Sequence, residues 1–125
     1  MNVLRNTKVL VIDDTPSIRT FLRISMTDHG AVFHEAATAT AGESLCRSAQ
    51  PDVVILDLGL PDRDGLDLLP DLLDDTGAKA PKVVVLSVRN DRRTREIAYE
   101  RGASGYVTKP FIMEDLVETI EHVLQ

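Results

Sequence analysis

Val53-Val54-Ile55-Leu56-Asp57 decides the fold: four aliphatic residues run directly into a carboxylate, and the turn signal Leu60-Pro61-Asp62 follows. A short, unbroken apolar run bounded by turn residues fits a strand covered on both faces, as in a parallel sheet. Such a strand has no solvent face on which to carry an acid. Asp57 is therefore expected at the carboxyl end of the strand, the edge at which open α/β sheets bind ligands.

Working outward, Lys8-Val9-Leu10-Val11-Ile12 is a second apolar run and ends at Asp13-Asp14. Thr15-Pro16 then predicts a helix start, with Thr15 as N-cap, a stripe of Ile18, Phe21, Leu22 and Met26, and a stop at Gly30. Ala31 to Ala36 is a weaker strand. Thr38 is expected to cap a second helix with Ala41, Leu45 and Ala49 facing inward. Beyond Asp57, Leu66, Leu69, Leu72 and Leu73 predict a third helix, in which Pro70 should cause a kink or a late start. A loop is expected from Gly77 to Pro81. Lys82 to Leu86 is a further buried strand ending at Ser87. Asp91 to Arg101 reads as a helix with Ile97 and Ala98 inward, closed by Gly102. Gly105 to Thr108 is a short last strand before Lys109-Pro110, and Met113, Leu116, Val117, Ile120 and Leu124 mark a final amphipathic helix. Strands alternating with helices predict βαβ crossovers, an α/β class and a single domain over residues 1–125.

Composition narrows the function classes. With 27% charged and 43% hydrophobic residues, the 125-residue chain has globular rather than disordered character. A formal net charge of -6 argues against direct nucleic-acid or anionic-membrane binding. No run is long enough to span a membrane, and residues 1–5 lack a signal-peptide core, so a cytoplasmic location is expected. The one cysteine, Cys46, forms no internal disulfide framework. Cys46, His29, His34 and His122 have no matching chemical partners and are assigned surface or packing roles.

In a parallel sheet the strand ends share one edge, which collects Asp13, Asp14, Asp57, Ser87 and Lys109. Clustered carboxylates repel one another unless a cation balances them, and oxygen-only donors favour a hard ion, Mg²⁺ over Ca²⁺. Lysine suits a phosphoryl oxygen, serine can donate to another, and an aspartate can itself accept the phosphoryl group. Taken singly, Asp13 or Asp14 also suits a helix cap, Ser87 a turn, Lys109 a solvated charge and Tyr106 a half-buried strand aromatic. Their convergence at successive strand ends favours phosphoryl chemistry.

Asp13-Asp14, Leu56-Asp57, Leu60-Pro61, Asp64-Gly65, Ser87, Gly102-Ala103, Tyr106 and Lys109-Pro110-Phe111, in this order, resemble the receiver domain of two-component response regulators over essentially the whole chain. The resemblance implies a (βα)5 fold with strand order 2-1-3-4-5, the flavodoxin-like order. It implies Asp57 as phosphoacceptor, supplied by a histidine kinase or histidine phosphotransfer protein. Mg²⁺ would be held by Asp14, Asp57 and the Gly59 carbonyl, with Asp13 acting through water, and Lys109 would pair with the phosphoryl group. Ser87 and Tyr106 would relay its presence to the face built from the fourth helix, the last strand and the fifth helix, and Lys109-Pro110 would be cis. That face would control a downstream protein target or an output domain. Its arginines (Arg89, Arg92, Arg93, Arg95) and the acids of the last helix (Glu114, Asp115, Glu118, Glu121) would also suit a phosphorylation-dependent homodimer.

Three positions depart from the usual pattern. Val88 stands where the family usually carries a small residue and is expected to narrow access to the acceptor. Gly59 and Arg89 each lie two residues past a site residue, where the family tunes phosphoryl lifetime. The alternatives are a degenerate receiver serving only as an interaction module, an aspartyl-phosphate phosphatase of the haloacid dehalogenase type, and a flavin carrier. Adjacent rather than Asp-x-Asp acids and the lack of length for a cap weigh against the phosphatase. The acidic pair after strand one weighs against a flavin phosphate loop. The chain ends at Gln125 with the last helix, so either a single-domain regulator or an excised receiver is expected.

Overall fold

The computed structural model describes residues 3–74 and 80–125. Val53–Leu56 forms β3 with all four residues buried, between β1 (Lys8–Ile12) and β4 (Lys82–Ser87), both parallel to it. The edges are β2 (Val32–Ala36) beside β1 and β5 (Gly105–Thr108) beside β4. The order is β2-β1-β3-β4-β5, as expected. The weak apolar character of residues 31–36 has a physical reason: β2 is an edge strand, and only Ala36 within it is fully buried.

Successive strand residues point to opposite faces, and each face is covered by its own helices. Val9, Val11, Val53, Ile55, Val84 and Leu86 pack with Leu22 and Met26 of α1 (Pro16–Asp28) and Leu116 and Ile120 of α5 (Met113–Leu124). Leu10, Ile12, Val54, Leu56, Val83 and Val85 pack with α2 (Ala39–Ala49), α3 (Gly65–Asp74) and Ala98 of α4 (Arg92–Glu100). Thus neither face of the central strands meets water.

Three local expectations are corrected. Thr15 occupies the N-cap position of α1 but makes no side-chain cap bond; the Asp13 Oδ1 instead accepts the Thr15 N–H at 2.9 Å. Phe21 is not part of the buried stripe: it is 47% exposed and tilts against Phe111. The fully buried face of α2 is Ala39, Gly42 and Cys46; of the expected residues Leu45 does pack against the core from its margin, whereas Ala41 is exposed and Ala49 only half-buried. A Cβ on Gly42 would stand 2.6 Å from Ile12 Cδ1, so the smallest residue faces the strand where the helix comes closest. Cys46 takes the packing role. The loop expected over Gly77 to Pro81 lies mostly outside the described residues.

Pro70 neither delays nor breaks α3, which begins at Gly65 and continues past it. Proline has no N–H to give the carbonyl four residues back, here that of Leu66. Arg101, just after α4, donates to that carbonyl from Nη1 at 2.8 Å and pairs with Asp67 at 3.0 Å. Arg101→Ala is expected to cost about 1 kcal/mol, the net worth of one such bond. The loss should shrink in a Pro70→Ala background, where the helix supplies its own donor. A double-mutant cycle in urea unfolding measures the coupling.

Candidate functional site

The acids stand where the sheet ladder ends. The Asp57 N–H still bonds the Ile12 carbonyl at 2.9 Å, and the Asp13 N–H bonds that of Ala36 at 3.0 Å. β1 and β3 thereby bring Asp13, Asp14 and Asp57 together, with one carboxylate oxygen of each within 4.8 Å of the others. Asp13 and Asp57 are buried, at 1% and 7% exposure, whereas Asp14 opens to solvent. Lys109 follows β5 through a cis Lys109-Pro110 bond. Its Nζ lies 2.8 Å from Asp13 Oδ2 and 3.6 Å from Asp57 Oδ2. Two buried acids and an exposed one, with Lys109 beside the buried pair, form a cluster poised for a further cation or for charge transferred onto an oxygen.

Burial pushes the Asp57 carboxyl above its usual range, and the Asp13 charge adds to this against the opposing Lys109 and the Gly59 N–H. Because the folded-state pKa is raised, the stabilising contribution of Asp57 is complete below its unfolded pKa and is lost as pH rises through the folded value. Asp57→Asn is therefore expected to raise the metal-free thermal midpoint at neutral pH by roughly 4 °C per kcal/mol of relieved repulsion. The gain should vanish below the unfolded carboxylate range, as scanning calorimetry against pH would show.

Three consecutive loop residues brace the segment after Asp57. Asp62 accepts the Ala39 and Thr40 N–H groups at 2.8 and 3.0 Å, capping α2 beside Thr38, which takes the Ala41 N–H. Arg63 pairs with Asp71 of α3 and donates to the Asp67 carbonyl. Asp64 takes the Leu66 N–H at 2.9 Å and pairs with Arg89 at 3.2 Å. Sequence reasoning saw Asp62 only as a turn residue. Nothing local links it to Ala39, 23 positions away.

Ser87 is buried and its Oγ accepts the Arg89 N–H at 3.2 Å. Tyr106, only 9% exposed, points inward: its hydroxyl donates to the Arg89 carbonyl at 2.6 Å, and Arg95 lies over its ring. Both peptide groups of Arg89 are thus held by side chains predicted to matter. Val88 is 72% exposed, so it does not fill the acid pocket. With Ile18, Phe21, Pro110 and Phe111 it walls an apolar cavity of about 420 Å³ against Lys109. Gly59 leaves open space, since nothing lies within 4 Å of where its Cβ would be. The predicted basic face is partly neutralised within the chain, because Arg92 and Arg93 both pair with Glu96 and Arg89 with Asp64.

Residues 9–121 match the family model of the response regulator receiver domain. The chain belongs to that family. The receiver is 46% identical over 114 residues to the transcriptional regulatory protein KdpE of Mycobacterium tuberculosis, covering 89% of this chain and 48% of that protein. It is 38% identical to the KDP operon transcriptional regulatory protein KdpE of Escherichia coli, covering 88% and 48%. It therefore spans about half the length of these relatives. The high-resolution structure of the chemotaxis response regulator CheY4 of Vibrio cholerae superposes with a TM-score of 0.87 at 26% identity, covering 94% of this chain and 98% of that one.

Membership places the receiver in two-component signal transduction. Its donor set fits the divalent ion that such domains typically bind. The oxygens are carboxylates, they lie close enough to share one ion, and Lys109 balances only part of their charge. Among the described residues, no helix is long and apolar enough to cross a membrane.

Proposed function

We propose that this receiver is a phosphorylation-operated switch in which Asp57 is the acceptor. The observation that carries this reading is the Lys109 ammonium held between Asp13 and Asp57 at the mouth of a buried acid cluster. An Asp57 oxygen attacks the phosphorus of a phosphohistidine on a histidine kinase or histidine phosphotransfer protein. The phosphorus–nitrogen bond breaks and the imidazole leaves with the electron pair. Asp14, Asp57 and the Gly59 carbonyl would hold Mg²⁺, with Asp13 reaching it through water; bound there, the ion supplies charge stabilisation to the phosphoryl oxygens. Lys109 gives the same oxygens a point charge from the chain itself.

The readout follows from the bonds around Arg89. A phosphoryl oxygen draws the Ser87 hydroxyl away from the Arg89 N–H, and the Tyr106 hydroxyl, bonded to the Arg89 carbonyl, shifts with that loop. The consequence appears on the α4–β5–α5 face, where a downstream protein target or an output domain would dock. The coverage of only half of two transcriptional regulators supports an output partner, and the receiver itself makes no direct nucleic-acid contact. A phosphorylation-dependent homodimer through the same face, a cytoplasmic location and a single domain over residues 1–125 complete the reading.

Intact-mass analysis after incubation with acetyl phosphate and Mg²⁺ tests it. One phosphoryl group on wild type, absent from Asp57→Asn and from a chelated control, is the expected result. A folded, Mg²⁺-binding wild type without uptake would leave a degenerate receiver or a site closed to small donors at Val88, and uptake persisting in Asp57→Asn would move the acceptor elsewhere.

A further inference from the structure

We infer that Arg19 is a positioning residue for the metal-binding acids, acting through the main chain of Asp13. The inference rests on the Mg²⁺ reading above. Arg19 reaches back from α1 and spans two partners: Nε donates to Glu35 Oε1 on β2 at 3.0 Å, and Nη1 donates to the Asp13 carbonyl at 2.8 Å. The side chain is only 18% exposed. Glu35 is itself anchored, its other oxygen taken by Arg23 at 2.7 Å. The strut therefore runs from the edge strand to the peptide joining Asp13 to Asp14. That peptide sets the direction in which Asp14 leaves β1. Asp13 is fixed by its own N–H on Ala36, by Oδ1 on Thr15 and by Oδ2 on Lys109. Arg19 completes the set at the carbonyl.

Two effects of Arg19 on a bound cation have opposite signs, which makes the role measurable. As a positive charge near the acids it should weaken Mg²⁺ binding, an effect that its pairing with Glu35 reduces. As an outer partner that orients ligands it should strengthen binding, typically by about 10–100-fold. The double contact and the burial place the second effect above the first.

The test is calorimetric titration of Mg²⁺ into wild type, Arg19→Ala, Arg19→Lys, Glu35→Gln and Arg92→Gln, with thermal midpoints recorded in chelator. Arg19→Ala is expected to bind Mg²⁺ about tenfold more weakly. Arg19→Lys should recover part of the loss, because an ammonium cannot span both partners. Arg92→Gln removes the same charge from a side chain that is 93% exposed and should stay within about twofold of wild type. Unchanged or tighter binding in Arg19→Ala overturns the inference, as does a lower metal-free midpoint with affinity retained. If Arg19→Ala does not fold, Arg19→Lys and Glu35→Gln decide by the same criteria. Wild type that takes up no Mg²⁺ overturns the metal reading, and this inference with it; wild-type binding with all variants equal to it overturns the inference alone.

Discussion

Lys109→Met is expected to slow phosphoryl uptake from acetyl phosphate by at least about a hundredfold, the scale for losing one preorganised charge-stabilising donor. Its Nζ already lies within 3.6 Å of Asp57 and 2.8 Å of Asp13, so little reorganisation separates the resting position from contact with a transferring phosphoryl group. Mg²⁺ affinity should be kept or raised, since the ammonium competes with the ion for Asp13 and Asp57. Without metal, the variant leaves three neighbouring carboxylates with no lysine among them, so its thermal midpoint should fall and recover on adding Mg²⁺. Time-resolved intact mass and calorimetric Mg²⁺ titration read the two halves separately. Uptake above about a tenth of wild type would remove Lys109 from the transfer step. Loss of both uptake and Mg²⁺ binding would instead make it a residue that holds the cluster's shape.

Gly65→Ala should be the most destabilising single methyl group in the acceptor region. A Cβ there would stand 2.7 Å from the Asp57 carbonyl oxygen and 2.7 Å from Leu58 Cα. Both are main-chain atoms of the acceptor segment, so a rotamer change cannot relieve the contact. The Gly65 N–H also bonds the Leu58 carbonyl at 2.8 Å, which ties the start of α3 to the same peptide. Overpacking of this kind costs about 1–3 kcal/mol, and the main-chain location favours the upper end. The thermal midpoint is expected to fall by roughly 10 °C. The remaining folded protein should take up phosphoryl groups more slowly, because relief of the clash moves Asp57. Calorimetry, and uptake measured well below the lowered midpoint, check both. A midpoint within about 2 °C of wild type would mean that the acceptor segment yields easily.

Strand cores and strand ends were legible in the sequence for one reason: a parallel sheet buried on both faces leaves unbroken apolar runs and places all their carboxyl ends together. That logic collected Asp13, Asp14, Asp57, Ser87 and Lys109 before any geometry was known, and the structure brings the acids and Lys109 into one cluster. It was less informative where closeness rather than hydrophobicity decides burial. Gly42 faces Ile12 because nothing larger fits, and apolar counting instead selected Ala41 and Ala49. The bonds made by long arginine side chains escaped the reading. Arg101 on the Leu66 carbonyl, Arg89 on Asp64 and Arg19 on Asp13 each join different elements, at separations of 35, 25 and 6 positions. No periodicity or turn signal encodes such pairings. Pro70 was recognised as a missing donor, but the replacement for that donor comes from Arg101, just past the end of α4.

The cap that Asp62 places on α2 gives this chain a built-in clock. Amide protons exchange with solvent when their hydrogen bonds open. Those of Ala39 and Thr40 are held by a carboxylate five residues beyond the acceptor, not by their own helix. Their exchange rates therefore count the openings of the segment that carries Asp57 and Gly59, read from a helix that contributes no residue to the acid cluster. A phosphoryl group that stiffens the segment should slow those two protons together while the middle of α2 keeps its rate.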